Sequence, residues 1–284
     1  MSDPMRNESD RRESARFVGS IPEFYDRYLG PVYMDPFARD LVRRLDPAPA
    51  GTVLELACGT GIATRRLRDH LPAATCLVAT DLNEPMLEVA RRKFRPQEKV
   101  DWKAADACAL PFAAGSFSAV VCQFGLMFIP DKAAAIREAR RVLVPGGILL
   151  LNVWDSLERN DLQRTGHETI GSLFPGHAPD FYQVPFSLHQ TEALRGLLAD
   201  AGFTDVRIET AALDGTSPSA RDLATGMVEG NPVANDIRQR GTVPIETVID
   251  RVAAALAVRF GDRPVRARMQ ALVVSGRALA PKRS

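Results

Sequence analysis

Glu55 and Asp81 are the acidic side chains whose setting invites chemistry, because each stands where an apolar run gives way to a turn. The first run, Val53 to Cys58, is too short for a helix and reads as a buried strand. Gly59 and Gly61 then let the backbone turn sharply into a helix that starts near Ile62. Two missing side chains let a ligand approach the main chain, and the unpaired N–H groups of the helix start can meet a carboxylate or phosphate. A second apolar run, CLVATDL (76–82), carries Asp81. A carboxylate at the C-terminal end of a second parallel strand can accept both hydroxyls of a ribose, so the pair describes a nucleoside pocket.

A glycine turn followed by an acid about 20 positions later is also the dinucleotide fingerprint. Two residues argue against that reading. Thr64 stands where the third glycine of the dinucleotide motif would allow close helix-to-strand packing. Glu55, just ahead of the turn, would repel a pyrophosphate yet suit the ammonium of an amino acid or, more weakly, a nearby sulfonium.

Downstream, residues 100–155 read as a strand ending in Asp106 and Ala107, a second strand from Phe117 to Phe124, a helix over 131–143 and a PGG turn. With ELACGTG, TDLNEPML, AADACALPFAAGSFSAVV and RVLVPGG in that order, the chain resembles the class I S-adenosylmethionine-dependent methyltransferases. It looks closest to the type 11 small-molecule branch, which is similar to the ubiquinone and menaquinone biosynthesis methyltransferases. The resemblance covers about 20–155 well and roughly 185–215 more loosely. It implies S-adenosyl-L-methionine as cofactor, with S-adenosyl-L-homocysteine as product. The main chain of Ala57, Cys58, Gly59 and Gly61 would contact the methionine part, with Glu55 nearby, and Asp81 would hold the ribose. Leu82 and Met86 would line the adenine site, the Asp106 carboxylate would take the adenine amino group, and the Ala107 N–H would reach a ring nitrogen. Gln123 and Phe124 would lie under the sulfonium and face the acceptor, and Tyr25 matches an aromatic that closes over the cofactor.

These residues need a scaffold. Strands near 53, 76, 100, 117 and 147 alternate with helices near 62, 84 and 131, which means a parallel sheet. Two short helices are expected over about 22–45, the second starting at Asp35 and Pro36 with Phe37, Leu41 and Leu45 on one face. Leu194, Leu197, Leu198 and Ala201 follow helical spacing up to Gly202, the strand 203–210 comes next, and 269–276 is the last strand. The fold class expected is α/β, a Rossmann-like seven-stranded, mostly parallel sheet with helices on both faces and a helical lid. The resemblance makes the last strand antiparallel and inserts it between the fifth and sixth.

The expected organisation is a disordered tail over 1–18, a cofactor-binding core with cap helices over 19–155, and the rest of the sheet over 156–284. Lid insertions fall at about 156–185 and 215–265, the second marked by an apolar stripe of Ile249, Val252, Ala253, Leu256 and Phe260. Of 284 residues 45% are hydrophobic, enough for a sizeable core. Thirty-six basic against 35 acidic side chains give a net charge of +1, so no global attraction to nucleic acid is expected. No apolar run is long enough to span a bilayer and no leader is seen at the start, which gives a cytoplasmic expectation. Cys58, Cys76, Cys108 and Cys122 lack metal-ligand spacing; they are read as reduced core thiols, and no metal is expected.

Methyl transfer from a sulfonium is an in-line displacement that needs alignment and dryness more than reactive side chains. If an oxygen or nitrogen acceptor needs a base, the candidates are His167, His177, His189, Asp155 and Tyr182, with His167 on the lid helix the best catalytic candidate. Phe124, Phe128 and Trp154 follow strand ends and could wall a flat acceptor. The function expected is methylation at O, N or C of a small, apolar or aromatic metabolite. The sequence leaves the oligomeric state open, a homodimer being one option. The alternatives are a non-catalytic binding module, a nucleic-acid methyltransferase, which lacks its Asn/Asp-Pro-Pro-aromatic motif here, and a nicotinamide oxidoreductase.

Overall fold

The computed structural model describes residues 17–45, 48–176, 178–179 and 181–279. Most of the expected tail and the histidine at 177 lie outside these residues.

In chain order the elements begin with a helical run: α1 (Ile21–Phe24), a π-helical stretch (Tyr25–Met34) and α2 (Asp35–Arg43). The core follows as β1 (Val53–Leu56), α3 (Ile62–His70), β2 (Leu77–Asp81), α4 (Glu84–Arg91), β3 (Val100–Ala104), β4 (Phe117–Gln123), α5 (Lys132–Val142) and β5 (Leu143–Trp154). Then come α6 (Asp161–Ser172), α7 (Thr191–Asp200), β6 (Phe203–Ser217), α8 (Ala220–Glu229), α9 (Val233–Arg240), α10 (Ile245–Phe260) and β7 (Val265–Ala278).

The seven strands form one sheet in the order β3-β2-β1-β4-β5-β7-β6. The first five are parallel, and β7 is inserted antiparallel between β5 and β6. The expected class and the placing of the last strand therefore hold. β1 is buried at all four positions and β2 at all five, as strands covered on both faces must be. Leu54, Val120 and Val121 are fully buried at its centre, each of order 1.5–3 kcal/mol for an aliphatic side chain taken from water. The sheet order reverses between β1 and β4, and open α/β sheets bind ligands outside the strand ends at such a switch point.

Several boundaries differ from expectation. The two cap helices are one continuous run from Ile21 to Arg43. Pro31 stands inside its π-helical part, where a residue without an N–H removes a ladder bond and the wider turn spares its ring a clash. β3 stops at Ala104, so Asp106 and Ala107 belong to the turn that follows. β6 and β7 run well past 210 and before 269, because each supplies the other's ladder from Phe203↔Ala278 to Ser217↔Val265. Cys58 and Cys122 are buried, but Cys76 is exposed and Cys108 partly so, which corrects the reading of all four as core thiols. Cys76 stands just ahead of β2, and Cys108 lies in the turn that follows β3. No helix among the described residues is long and apolar enough to cross a membrane.

Candidate active site

The β1 turn is built from positive φ angles: Ala57 at 51°, Gly59 at 54° and Gly61 at 79°. This brings the Gly59 N–H to 2.8 Å from Asp81 Oδ2, while the Asn83 N–H donates to Asp81 Oδ1, also at 2.8 Å. One side chain at the end of β2 thus ties its own turn to the glycine loop; Oδ1 also accepts from the Asn83 side-chain amide at 3.3 Å, and Oδ2 keeps a lone pair for a ligand. A Cβ placed on Gly59 would meet nothing within 4 Å, so the loop presents bare backbone to open space.

That space is a cavity of about 900 Å³, at the upper end of the range for a ligand site and large enough to admit two small molecules side by side. Of the residues expected at the cofactor, Tyr25, Glu55, Ala57, Cys58, Gly59, Asp81, Leu82, Met86, Asp106, Ala107, Gln123 and Phe124 line it. Gly61 does not. A Cβ there would come within 2.9 Å of the Ala90 Cβ, so this glycine serves the packing of α3 against α4.

The electrostatics of the floor are one-sided. Glu55 is 1% exposed, its Oε2 has no hydrogen-bond partner, and burial pushes its pKa up to about 8. The Thr64 hydroxyl opposes that shift without reaching hydrogen-bond geometry, and the Asp81 charge adds to it. Burial also raises Asp81, against the pull of the Asn83 and Gly59 N–H groups. The Tyr25 hydroxyl is raised by burial first, then by the negative charges of Asp26 and Asp81. Asp106 and Asp131 complete the acidic lining, and no lysine, arginine or histidine is among the described residues that line it. Such a site is short of positive charge: an ammonium and a pair of ribose hydroxyls supply what its carboxyls lack, whereas a pyrophosphate would meet only repulsion.

Asp106 has a structural duty as well, since its Oδ1 accepts from the Cys108 N–H at 2.8 Å and caps the turn. Gln123 donates from Nε2 to the Met34 carbonyl, fastening β4 to the cap. That cap is also held to the turn just after α4 by Lys93–Asp26 at 2.5 Å and Arg92–Glu23 at 3.5 Å. These are surface pairs, worth at most about 1 kcal/mol each.

Beyond Gln123 the lining turns aromatic. Phe124 and Trp154 stack with Phe37 edge-on to both, and Phe128 packs edge-on against Phe17. The base candidates lie elsewhere or are engaged. His167 is half-buried on α6 but does not line the cavity; its ring rests 5.9 Å from Tyr182. The best sequence-based catalytic candidate therefore stands off the cavity, and the inward face of α6 carries Gln163. His189 Nδ1 is bonded to the Phe186 carbonyl, and Asp155 accepts from Ser156 and Gln270. Tyr182 does line the cavity, with its hydroxyl donating to the Met227 carbonyl at 3.1 Å. Sequence reasoning missed Tyr33, Gln163, Phe186 and Asn231, all of which line the cavity.

Comparison with known proteins agrees with this geometry. A family model described as a methyltransferase domain matches residues 53–147. The chain is 33% identical over 172 residues to the ubiquinone/menaquinone biosynthesis C-methyltransferase UbiE of Shewanella woodyi, covering 56% of this chain and 68% of that protein. It is 36% identical over 177 residues to a demethylmenaquinone methyltransferase of Thermus thermophilus, covering 58% and 79%. Among solved structures, phosphoethanolamine N-methyltransferase 2 of Haemonchus contortus, in complex with S-adenosyl-L-methionine, shares the fold with a TM-score of 0.60 at 16% identity. That match spans 95% of this chain and 60% of the other.

Proposed function

Because the chain belongs to the S-adenosylmethionine-dependent methyltransferases of the ubiquinone/menaquinone C-methyltransferase type, we propose that it methylates a small, flat, apolar or aromatic acceptor at carbon, oxygen or nitrogen. The observation that carries this reading is the charge pattern of the cavity, with four acids and no basic side chain among the described residues around an uncovered glycine loop. A cationic nucleoside fits it and a dinucleotide does not.

Glu55 would take the amino acid's ammonium, which answers the orphaned Oε2. Asp81 would accept from the ribose hydroxyls, and Leu82, Met86, Asp106 and Ala107 would hold the adenine. Gln123, Phe124 and Tyr25 would close the end nearest the acceptor. When bound, the cofactor supplies a methyl carbon made electrophilic by its sulfonium. The chain's own part is to orient and to keep water out. Trp154 and Phe124 give the acceptor a flat wall, and the cap and α6 cover it. Holding two reactants in line can be worth about 7–11 kcal/mol in favourable cases, so no acid–base pair is required of the protein.

Incubation with S-adenosylmethionine and a panel of neutral aromatic acceptors tests the reading. Formation of S-adenosylhomocysteine together with a product heavier by one methyl group supports it. Binding of S-adenosylmethionine with no turnover across the panel would favour a binding module instead.

A further inference from the structure

Beyond Gln123, whose own Oε1 is unpartnered at the border with the cofactor end, the aromatic part of the cavity contains two buried polar atoms that no described residue satisfies. Tyr33 is 5% exposed, its ring packs edge-on against Trp154 at 6.1 Å, and its hydroxyl has no partner. Gln163, on α6, is 2% exposed. Its Nε2 donates to the Met269 sulfur at 3.4 Å, which leaves Oε1 as the unpartnered atom. Both residues line the cavity. Leaving such a group unpaired costs roughly 1–3 kcal/mol, so two of them lining one cavity point to a ligand that satisfies them.

We propose that Tyr33 and Gln163 are the residues that read the methyl acceptor, and that the acceptor is an uncharged planar molecule presenting a hydroxyl or N–H to Gln163 Oε1. The proposal rests on the functional reading above and deepens it. A glutamine oxygen can only accept, so the ligand must donate there; the Tyr33 hydroxyl can donate back or accept. The walls around the pair are Trp154, Phe186, Phe181 and Tyr182, whose hydroxyl is already committed to the Met227 carbonyl. None of them carries a charge, so a carboxylate or ammonium on the acceptor would be stripped of water without compensation. Neither residue sits in a sequence motif. One comes from the π-helical stretch and the other from the lid, and only the fold places them on the same cavity.

The test uses the full chain saturated with S-adenosylhomocysteine and three probes of one shape: 2-naphthol, 2-methoxynaphthalene and 2-naphthoate, titrated by calorimetry. 2-Naphthol is expected to bind roughly tenfold more tightly than 2-methoxynaphthalene, the cost of one buried acceptor left unpaired, with 2-naphthoate weaker by a similar factor or more. Gln163→Leu should bring the first two within about threefold of each other while S-adenosylhomocysteine affinity stays at the wild-type value. Tyr33→Phe keeps the ring against Trp154, guards against a folding defect in the first variant, and should also lower 2-naphthol affinity. A donor preference that persists in both variants, or 2-naphthoate binding as well as 2-naphthol, overturns the proposal. A wild-type chain that binds S-adenosylhomocysteine but shows no donor preference removes the proposal alone. One that does not bind S-adenosylhomocysteine removes the functional reading as well.

Discussion

Phe124 lies flat on Trp154, with ring centroids 4.0 Å apart and planes 8° from parallel, at the point where β4 and β5 leave the sheet side by side. The stack depends on an uncommon backbone. Phe124 sits at φ 49°, and its N–H is held by both the side-chain oxygen and the carbonyl of Asn152, at 3.0 and 3.1 Å. Asn152 is fully buried, so a polar residue inside a central strand fixes an aromatic wall of the cavity.

Asn152→Ala should therefore lower stability by about 1 kcal/mol, since one of two acceptors for that N–H is lost and the other remains. It should also reduce kcat/KM for the acceptor several-fold while S-adenosylhomocysteine affinity stays unchanged. Urea denaturation and calorimetry read the two effects separately.

Glu55 gives a pH signature. Its carboxyl holds a proton up to about pH 8 in the folded chain but loses it near 4.5 when unfolded, so rising pH through that window destabilises the fold. Glu55→Gln should flatten the dependence and stabilise the ligand-free protein by on the order of 4 kcal/mol at pH 8. A cation arriving beside Glu55 favours the charged form, so cofactor binding below pH 8 should release a proton. Calorimetry in two buffers of different ionisation enthalpy detects that release, and the variant should lack it.

His167→Ala should leave turnover within roughly twofold of wild type, as expected for a side chain away from the reacting groups. The ring rests on Tyr182 and does not line the cavity. A loss of a hundredfold or more, with S-adenosylhomocysteine affinity intact, would restore it as a catalytic residue.

The glycine-loop half of the cavity was legible in the sequence because short-range patterns build it. β1 and β2 are apolar runs that end in turns, and the glycines and Asp81 follow at fixed spacing along the chain. The aromatic half was not. Tyr33 belongs to a π-helical stretch, where the wider turn breaks the 3.6-residue period that would have told its inward face from its outward one. Gln163 stands on a lid helix whose buried side carries Gln163, Thr165 and Gly166 beside Leu162 and Ile170, too mixed to show which residues face a ligand. Asn152 was hidden for the opposite reason: in a run as apolar as ILLLNVW a lone amide reads as an interruption, and only the Phe124 backbone explains it.

Calorimetric titration of the purified chain with S-adenosylhomocysteine, alongside Asp81→Ala, tests the central claim most directly. The account predicts saturable binding at one site per chain, weakened by at least tenfold in the variant, because hydrogen bonds to a charged acceptor contribute about 1.5–3 kcal/mol and the Gly59 loop loses its tether as well. No saturable heat with S-adenosylhomocysteine, or tight uptake of NADH in its place, would contradict it.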